Sequence, residues 1–561
     1  MTLFEKKFNH RYRYNPAYKK AVAYFSMEFA IDQPLKTYSG GLGFLAGSHM
    51  RSAFELRQNL IGIGILWKYG YYDQVRRSDQ TMDVAFLEKA YSFLEDTNIR
   101  YTIEVNGHPV WVTAKYLPPR FFNTVPVFFL TTDLPENDYL AQTISHRLYD
   151  SDVAAKVAQY ILLGIGGAKL LDYLGFPAEV YHLNEAHALP SAFYLYQKFK
   201  NINIVRQRLV FTTHTPEEAG NEKHDIHLLH KMGYFCGLKL DEVRQLTGMQ
   251  GDVFDHSLCA LRLARRANAV SQAHGKVARK MWSKHDGICQ IYAITNAQNA
   301  LYWADHNLYE LLHRHRIKQL VYRKKYLKKK LFDIVADQTG KIFNPDVLTI
   351  VWARRFAGYK RADLLLQDPD RFHQLLSATD MPVQLIYAGK PYPTDYGAVA
   401  TFNKLVHTSK NYPNMAVLTG YELRLSACLK QGADVWLNTP RLNREASGTS
   451  GMTAAMNGAI NFSTYDGWIP EFATEKNSFI IPPADANESY VIQDVQDVQR
   501  LYDILFQKIL PMYYQKPGLW LRMMRQSMKD ILPFFDSARM ADEYYRIMYD
   551  PAPEHESNLQ N

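Results

Sequence analysis

The stretch Glu445-Ala446-Ser447-Gly448-Thr449-Ser450-Gly451-Met452-Thr453 follows the apolar run Val435-Trp436-Leu437 and precedes Ala454-Ala455-Met456-Asn457-Gly458. That order reads as a buried strand, a polar loop and the start of a helix. Before the helical run the loop carries one carboxylate, three hydroxyls and two glycines. Several backbone N–H groups can therefore turn toward one point without a Cβ in the way, which suits an anion. A polar connection with Ser or Thr as N-cap has the same composition, and these residues alone leave both readings open.

The same pattern recurs along the chain. Ala21-Val22-Ala23-Tyr24-Phe25-Ser26 reads as a first strand, short β-like runs fill Val110 to Pro135, and Val153 to Leu174 is helical in pattern. Val180-Tyr181-His182-Leu183 and Leu209-Val210-Phe211-Thr212 end in the clusters Asn184-Glu185-Ala186-His187 and Thr213-His214-Thr215-Pro216-Glu217. Leu348-Thr349-Ile350-Val351, Gln384-Leu385-Ile386-Tyr387 and Met415-Ala416-Val417-Leu418 extend the series. Short apolar strands alternating with helical segments predict an α/β fold with doubly wound sheets, in which ligands sit beyond the carboxyl ends of the strands. Arg354, Arg355 and Lys360 follow one strand end, where buried cations are costly unless they grip an anion. Gly40, Gly41 and Gly43 precede a helical pattern and form a candidate phosphate cradle. A glycine-rich turn is equally often just a turn.

At 561 residues the chain exceeds what one core serves, so two domains are expected, with a second βα series after Asn344-Pro345-Asp346. No run of about 18 apolar residues appears, and the N-terminus lacks the apolar core of a signal peptide. A cytoplasmic protein without membrane partners is the expectation. Cys236, Cys259, Cys289 and Cys428 are widely spaced, against a disulfide framework or structural zinc. His224, His227 and His230 at i, i+3 and i+6 do not converge on one ion from a regular helix, and no metal is expected. The net charge of +9 is concentrated in His313-Arg314-His315-Arg316 and Arg323 to Lys330. Leu320, Val321, Leu327 and Leu331 recur at helical spacing there, which predicts a solvated basic face rather than a nucleic-acid site.

The nonapeptide, continued by Thr464-Tyr465-Asp466-Gly467, resembles the active-site segment of the α-glucan (glycogen, starch, maltodextrin) phosphorylases, most closely their short bacterial branch. The glycine loop, Ile61 to Gln74, the FTTHTP context of His214, Val270 to Gly275 and Ile294-Thr295-Asn296 match further segments in the same order, from about Ala21 to Tyr545. The resemblance implies the glycosyltransferase B fold, two Rossmann-like domains facing across a cleft. The domains would be residues 1–296, residues 297–528, and residues 529–561 as a helix crossing back plus a polar tail. Phe534 to Tyr545 reads as that helix, and the tail from Pro551 to Asn561 is expected to be mobile.

The resemblance also implies roles. His214, Arg355, Lys360 and Glu445 would be catalytic. Gly40, Gly41, Gly43, Arg354, Thr449, Ser450 and Thr453 would bind phosphate, cofactor or donor, and Asn184, Asn296, Ser447 and Gly448 the sugar. Ala297 and Asn299 stand where relatives usually have glycine and histidine. In the family, phosphate attacks the non-reducing end of an α-1,4-glucan with retention, and a lysine after Gly-Met holds pyridoxal phosphate as a Schiff base. That position is Thr453 here, so the cofactor is expected from the family but its covalent attachment is expected to be absent. Three outcomes follow: glucosyl transfer of phosphorylase type, a cofactor-independent transferase using a nucleotide-sugar, or a non-catalytic glucan-binding relative. The expected partners are α-1,4-glucan or maltodextrin with phosphate, glucose 1-phosphate or nucleotide-sugar, without nucleic acid, in a possible homo-oligomer.

Overall fold

The computed structural model describes residues 1–551. The rest of the tail expected to be mobile, residues 552–561, lies outside the described residues. Two compact units emerge. Unit 1 comprises Met1–Tyr72, Phe86–Asn296 and the chain from Ser537 onward, and unit 2 comprises Asp73–Ala85 and Ala297–Asp536.

Unit 1 is built on a nine-stranded sheet in the order Gln290–Ala293, Arg266–Ala269, Leu209–Thr212, Val180–Asn184, Val22–Phe25, Leu60–Ile65, Val127–Thr131, His108–Leu117, Glu95–Val105. The first seven pair in parallel, and the last two form an antiparallel edge. Val22–Phe25, Val180–Asn184 and Leu209–Thr212 are buried at every position. This explains why they read as unbroken apolar runs rather than alternating ones. Against this sheet packs Val153–Leu174, helical apart from a π-turn at Leu162–Gly166. Its length and composition would allow it to cross a membrane, but 72% of its most apolar window is buried inside the protein.

Unit 2 holds a six-stranded, wholly parallel sheet in the order Met415–Leu418, Val383–Ala388, Leu348–Ala353, Val435–Asn438, Ile460–Thr464, Ser478–Ile481. Leu331, Val335, Val351, Ile386, Ala416, Leu418 and Trp436 meet in its core. The early hairpin Asp73–Arg76 with Met82–Ala85 belongs to this unit.

Three expectations are corrected. In the basic helix Ile317–Thr339, Leu320, Leu327 and Leu331 are buried as predicted, but Val321 is 36% exposed, and Lys324 and Lys328 are buried. The two lysines are accommodated by partners that sequence spacing does not reveal. Lys324 Nζ donates to the carbonyls of Gln431 and Asn457, and Lys328 Nζ meets Asp434 at 2.5 Å. His224 lies on the strand Lys223–Asp225, not on the following helix, and its ring pairs with His256 at 2.8 Å. The helix expected across Phe534 to Tyr545 is broken at Asp536, which is extended at φ −81°, ψ 132°: Pro517–Phe535 ends before it, and Ser537–Glu543 follows it and runs on into the π-helix Tyr544–Tyr549.

The chain from Ser537 closes unit 1. Met540, Tyr544, Met548 and Tyr549 are buried there, and Tyr549 reaches His182 under the sheet. Thr212 Oγ1 donates to Asn268 Oδ1, so it accepts from His182 Nε2, and Nδ1 is left to accept the Tyr549 hydroxyl proton at 2.5 Å. Burial drives this imidazole well below its ordinary pKa, and it stays neutral. Tyr549→Phe strands a buried acceptor and should lower stability by about 1–3 kcal/mol, read as a fall in Tm with the secondary structure retained. An unchanged Tm would refute this pairing.

Candidate functional site

A doubly wound sheet leaves a crevice where the strand order reverses, because successive crossovers depart to opposite sides. In unit 1 that point lies between Val22–Phe25, whose chain continues to Leu60–Ile65 on one side, and Val180–Asn184 on the other. The residues just past these strand ends form one network. Asn184 Nδ2 donates to Ser26 Oγ at 3.1 Å, which fixes Asn184 Oδ1 as the acceptor from His214 Nε2 at 2.8 Å. His214 therefore carries its proton on Nε2. Burial, with the His274 and His187 rings nearby, pushes its pKa down to about 3, so it is neutral at physiological pH.

Glu185, directly after Asn184, is the feature that the sequence does not single out. It adopts φ 65°, ψ 170°, a region essentially reserved for glycine and costing about 1–3 kcal/mol for other residues. Its Oε1 accepts from His214 N at 2.5 Å and lies 3.4 Å from Thr215 Oγ1. Burial raises its pKa to about 7, outweighing the hydrogen bonds from His214 N and Thr215, and the Glu222 carboxylate adds a smaller push in the same direction. The signal was limited to a carboxylate within a polar cluster at a strand end.

The glycine loop opens the helix Gly41–Glu55. Its first amides already face a carboxylate of the chain: Ser39 N and Gly40 N donate to Glu28 Oε2 at 2.7 and 3.0 Å. Tyr149 OH donates to Glu28 Oε1 at 2.6 Å. A Cβ at Gly40 or Gly41 would meet nothing within 4 Å, whereas one at Gly43 would lie 2.6 Å from Tyr38 Cβ. Gly43 thus serves packing, and the open part of the loop is Gly40 and Gly41. Asn296 is buried with Oδ1 unpartnered. Asn299 caps the short helix Ala300–Trp303, its Oδ1 accepting from Tyr302 N at 2.9 Å.

In unit 2 the order reverses between Leu348–Ala353 and Val435–Asn438. Arg354 leaves the first strand and the Glu445 loop follows the second. Arg354 Nη2 meets Glu445 Oε2 at 2.6 Å, and Lys360 Nζ approaches the same oxygen at 3.4 Å. Burial opposes ionisation of Glu445, but the two cations prevail and hold its pKa below the ordinary value. For Lys360, burial and the Arg354 charge outweigh Glu445 and lower the pKa to about 7. Arg354 Nη1 and Ser447 Oγ are buried without a partner, and such groups are uncommon in folded proteins. Arg355 is exposed, hydrogen-bonded to the Tyr359 phenol.

The loop is shaped from beneath. Arg444 N and Glu445 N both donate to Asp466 Oδ2, at 3.1 and 2.9 Å, and burial raises the Asp466 pKa to about 6. Gly448 has φ 86°, and a Cβ there would lie 3.1 Å from Arg354 Nη2. Thr449 is the N-cap of the helix Ser450–Ala455, as one reading of this loop expects, but its side chain makes no capping hydrogen bond. Thr453 is fully buried, and its Oγ1 donates to Ser450 O at 3.0 Å. Unit 1 therefore gathers Asn184 and His214 around Glu185, and unit 2 gathers Arg354, Lys360, Glu445, Ser447 and Gly448. Among the described residues no group of three or more His, Cys, Asp or Glu is placed to hold a metal.

Glu185 supplies a test of this electrostatics. Its carboxyl titrates near 7 in the fold against an ordinary 4.5. Between those values the folded protein binds the extra proton, and the stability of the neutral carboxyl is lost as pH rises. Glu185→Gln removes that loss, so its Tm advantage over the parent should grow from about pH 5 to about pH 8. A constant difference would contradict the assignment.

Comparison with known proteins agrees with these motifs. A family model described as carbohydrate phosphorylase matches residues 306–499. An uncharacterized protein of Methanocaldococcus jannaschii is 46% identical over 94% of this chain and 100% of its own length. The maltodextrin phosphorylase of Thermococcus litoralis is 32% identical over 96% of this chain and 71% of its own length, and a glycogen phosphorylase of Mycobacterium tuberculosis is 31% identical over 95% and 71%. The chain therefore belongs to the α-glucan phosphorylase family of carbohydrate phosphorylases.

Proposed function

We propose that this chain is a hexosyltransferase carrying out retaining glucosyl transfer of phosphorylase type on α-1,4-glucans, with phosphate and glucose 1-phosphate as the small partners. Family membership supports the reaction class. The observation that carries it to this chain is the unit 2 cluster, where Arg354, Lys360 and the nearby Arg355 outnumber Glu445 and Arg354 Nη1 points at no internal acceptor. A buried donor left unpaired is relieved by an oxyanion, and charge-assisted bonds to phosphate are the strong kind. We read the fold as glycosyltransferase B, supported by a doubly wound sheet with its own switch point in each unit.

The roles follow from protonation. Arg354, Arg355 and Lys360 bind the phosphoryl group and offset charge that develops on it. Glu445, ionised and tied to two cations, is a poor nucleophile and orients sugar hydroxyls. Neutral His214, with Nε2–H engaged by Asn184, leaves Nδ1 as an acceptor for a glucan hydroxyl, while Gly40 and Gly41 leave room for a ligand to approach the backbone.

Pyridoxal phosphate as an imine does not fit position 453. Thr453 has no amine, its hydroxyl is spent on Ser450 O, and it is fully buried. This mismatch favours a second reading, transfer from a nucleotide-sugar whose second phosphate would use the donors that the cofactor's phosphate does not need.

Arg355→Ala and Lys360→Ala should each lower turnover on the order of 10²-fold with the fold intact, and Arg355→Lys should not fully restore it. Full activity in both alanine variants would sink the phosphate assignment. Because Lys360 titrates near 7, its contribution to phosphate affinity should fade as pH rises through that value. Lys360→Arg, charged throughout, should then gain on the parent above about pH 8. Borohydride reduction of the isolated protein followed by intact-mass measurement should show no phosphopyridoxyl adduct. An adduct on Lys390 or another lysine would overturn the exclusion, and turnover with only a nucleotide-sugar donor would establish the second reading.

A further inference from the structure

Gln74 stands on the strand Asp73–Arg76 of the early hairpin, 7% exposed, within unit 2. Its side-chain amide is fully engaged. Nε2 donates to Gly389 O at 3.1 Å and faces Met82 Sδ at 3.7 Å, while Oε1 accepts from Gly420 N at 3.0 Å. Those two partners follow the strands Val383–Ala388 and Met415–Leu418 at their carboxyl ends. Arg76 Nη2 to Gln338 Oε1, at 3.3 Å, and Met82 N to Asn403 Oδ1, at 3.0 Å, hold the hairpin in place.

Both loops that Gln74 joins meet the backbone around the Ala353–Arg354 peptide. Gly389 has φ 150°, and a Cβ on it would lie 1.8 Å from Arg354 O, so its backbone lies directly against that carbonyl. Arg354 N donates to Ala388 O at 3.2 Å. From the other loop Tyr421, next to Gly420, donates its hydroxyl to Ala353 O at 3.3 Å. Lys390 and Glu422, one and two residues beyond the partners of Gln74, join the same loops again at 3.2 Å. A buried amide that only satisfied nearby backbone would not need to join two loops that grip the same peptide.

We propose that Gln74 is a positioning residue that fixes the Ala353–Arg354 peptide from both sides, so that the Arg354 guanidinium stands ready beside Glu445 for an incoming oxyanion. The proposal rests on the reading of this unit as a phosphate site. An apolar side chain of similar size would fill the space but strand Gly389 O and Gly420 N. The hairpin thus contributes to the anion site through bonds to loops 315 and 346 residues further along the chain, without touching the anion.

Gln74→Glu tests this with almost no change of shape. Ionised, the carboxylate still accepts from Gly420 N but turns lone pairs on Gly389 O; protonated, its O–H donates to Gly389 O and its carbonyl accepts from Gly420 N, remaking both bonds. Affinity for inorganic phosphate is measured by thermal protection for the parent, Gln74→Glu, Gln74→Ala, Arg354→Ala and the double alanine variant. The ratio of Gln74→Glu to parent affinity should fall about 10-fold near pH 8 and return toward one near pH 5. Gln74→Ala should add nothing to Arg354→Ala, as for residues acting in one unit. Variants that lose Tm yet bind phosphate like the parent at every pH, or losses that add, would overturn the proposal. If phosphate does not protect even the parent protein, the phosphate reading fails by itself. Crystal structures of the parent and Gln74→Ala then decide: a displaced Ala353–Arg354 peptide supports the clasp, and an unmoved one refutes it.

Discussion

A parallel sheet that winds outward in both directions from one starting strand cannot cover the carboxyl end of that strand with its own crossovers. Each unit obeys this constraint, starting from Val22–Phe25 in the first and Leu348–Ala353 in the second. The candidate site residues of both units stand at or just beyond these ends. In unit 1 the ends carry Asn184, Glu185 and His214, with Glu28 just beyond, and in unit 2 they carry Arg354 and the Glu445 loop. The crevice follows from handedness and strand order. The chemistry follows from which side chains the chain spends there.

Those side chains are expensive. A buried carboxylate next to two buried cations repays desolvation only when the remaining donors and acceptors also find partners. Around Glu445 this is incomplete, since Arg354 Nη1 and Ser447 Oγ have none. The contrast with Lys328 and Asp434 is instructive. There a buried pair is completed by Val347 O and Thr349 N, and nothing remains to recruit a ligand. One ion pair closes its surroundings, while the other keeps a buried donor without an internal partner.

Much of this was legible from residues. Wholly buried parallel strands have no alternation, so their apolar runs stood out between polar clusters, and the cations after Leu348–Ala353 were visible as a group. What stayed hidden depends on contacts remote in sequence. The burial of Lys324 and Lys328 depends on carbonyls and a carboxylate about a hundred residues on. The occupation of the glycine-loop amides depends on how the chain folds back onto Glu28. The backbone strain at Glu185 has no signature in composition, because glutamate is not a residue expected at φ 65°. The break at Asp536 was hidden for a similar reason, since helical periodicity continues through it.

The last described stretch, from Ser537, has a consequence for how the protein is made. Ser537 Oγ meets Ser52 Oγ, the Ala541 carbonyl accepts from Gln58, and Tyr549 reaches His182. On the ribosome, unit 1 therefore emerges first yet lacks its closing layer until translation has passed all of unit 2. During that interval His49 and His182 lack the rings of Tyr544 and Tyr549 that finally pack on them. A sequence read from the amino end begins with the unit whose closing segment is synthesised last.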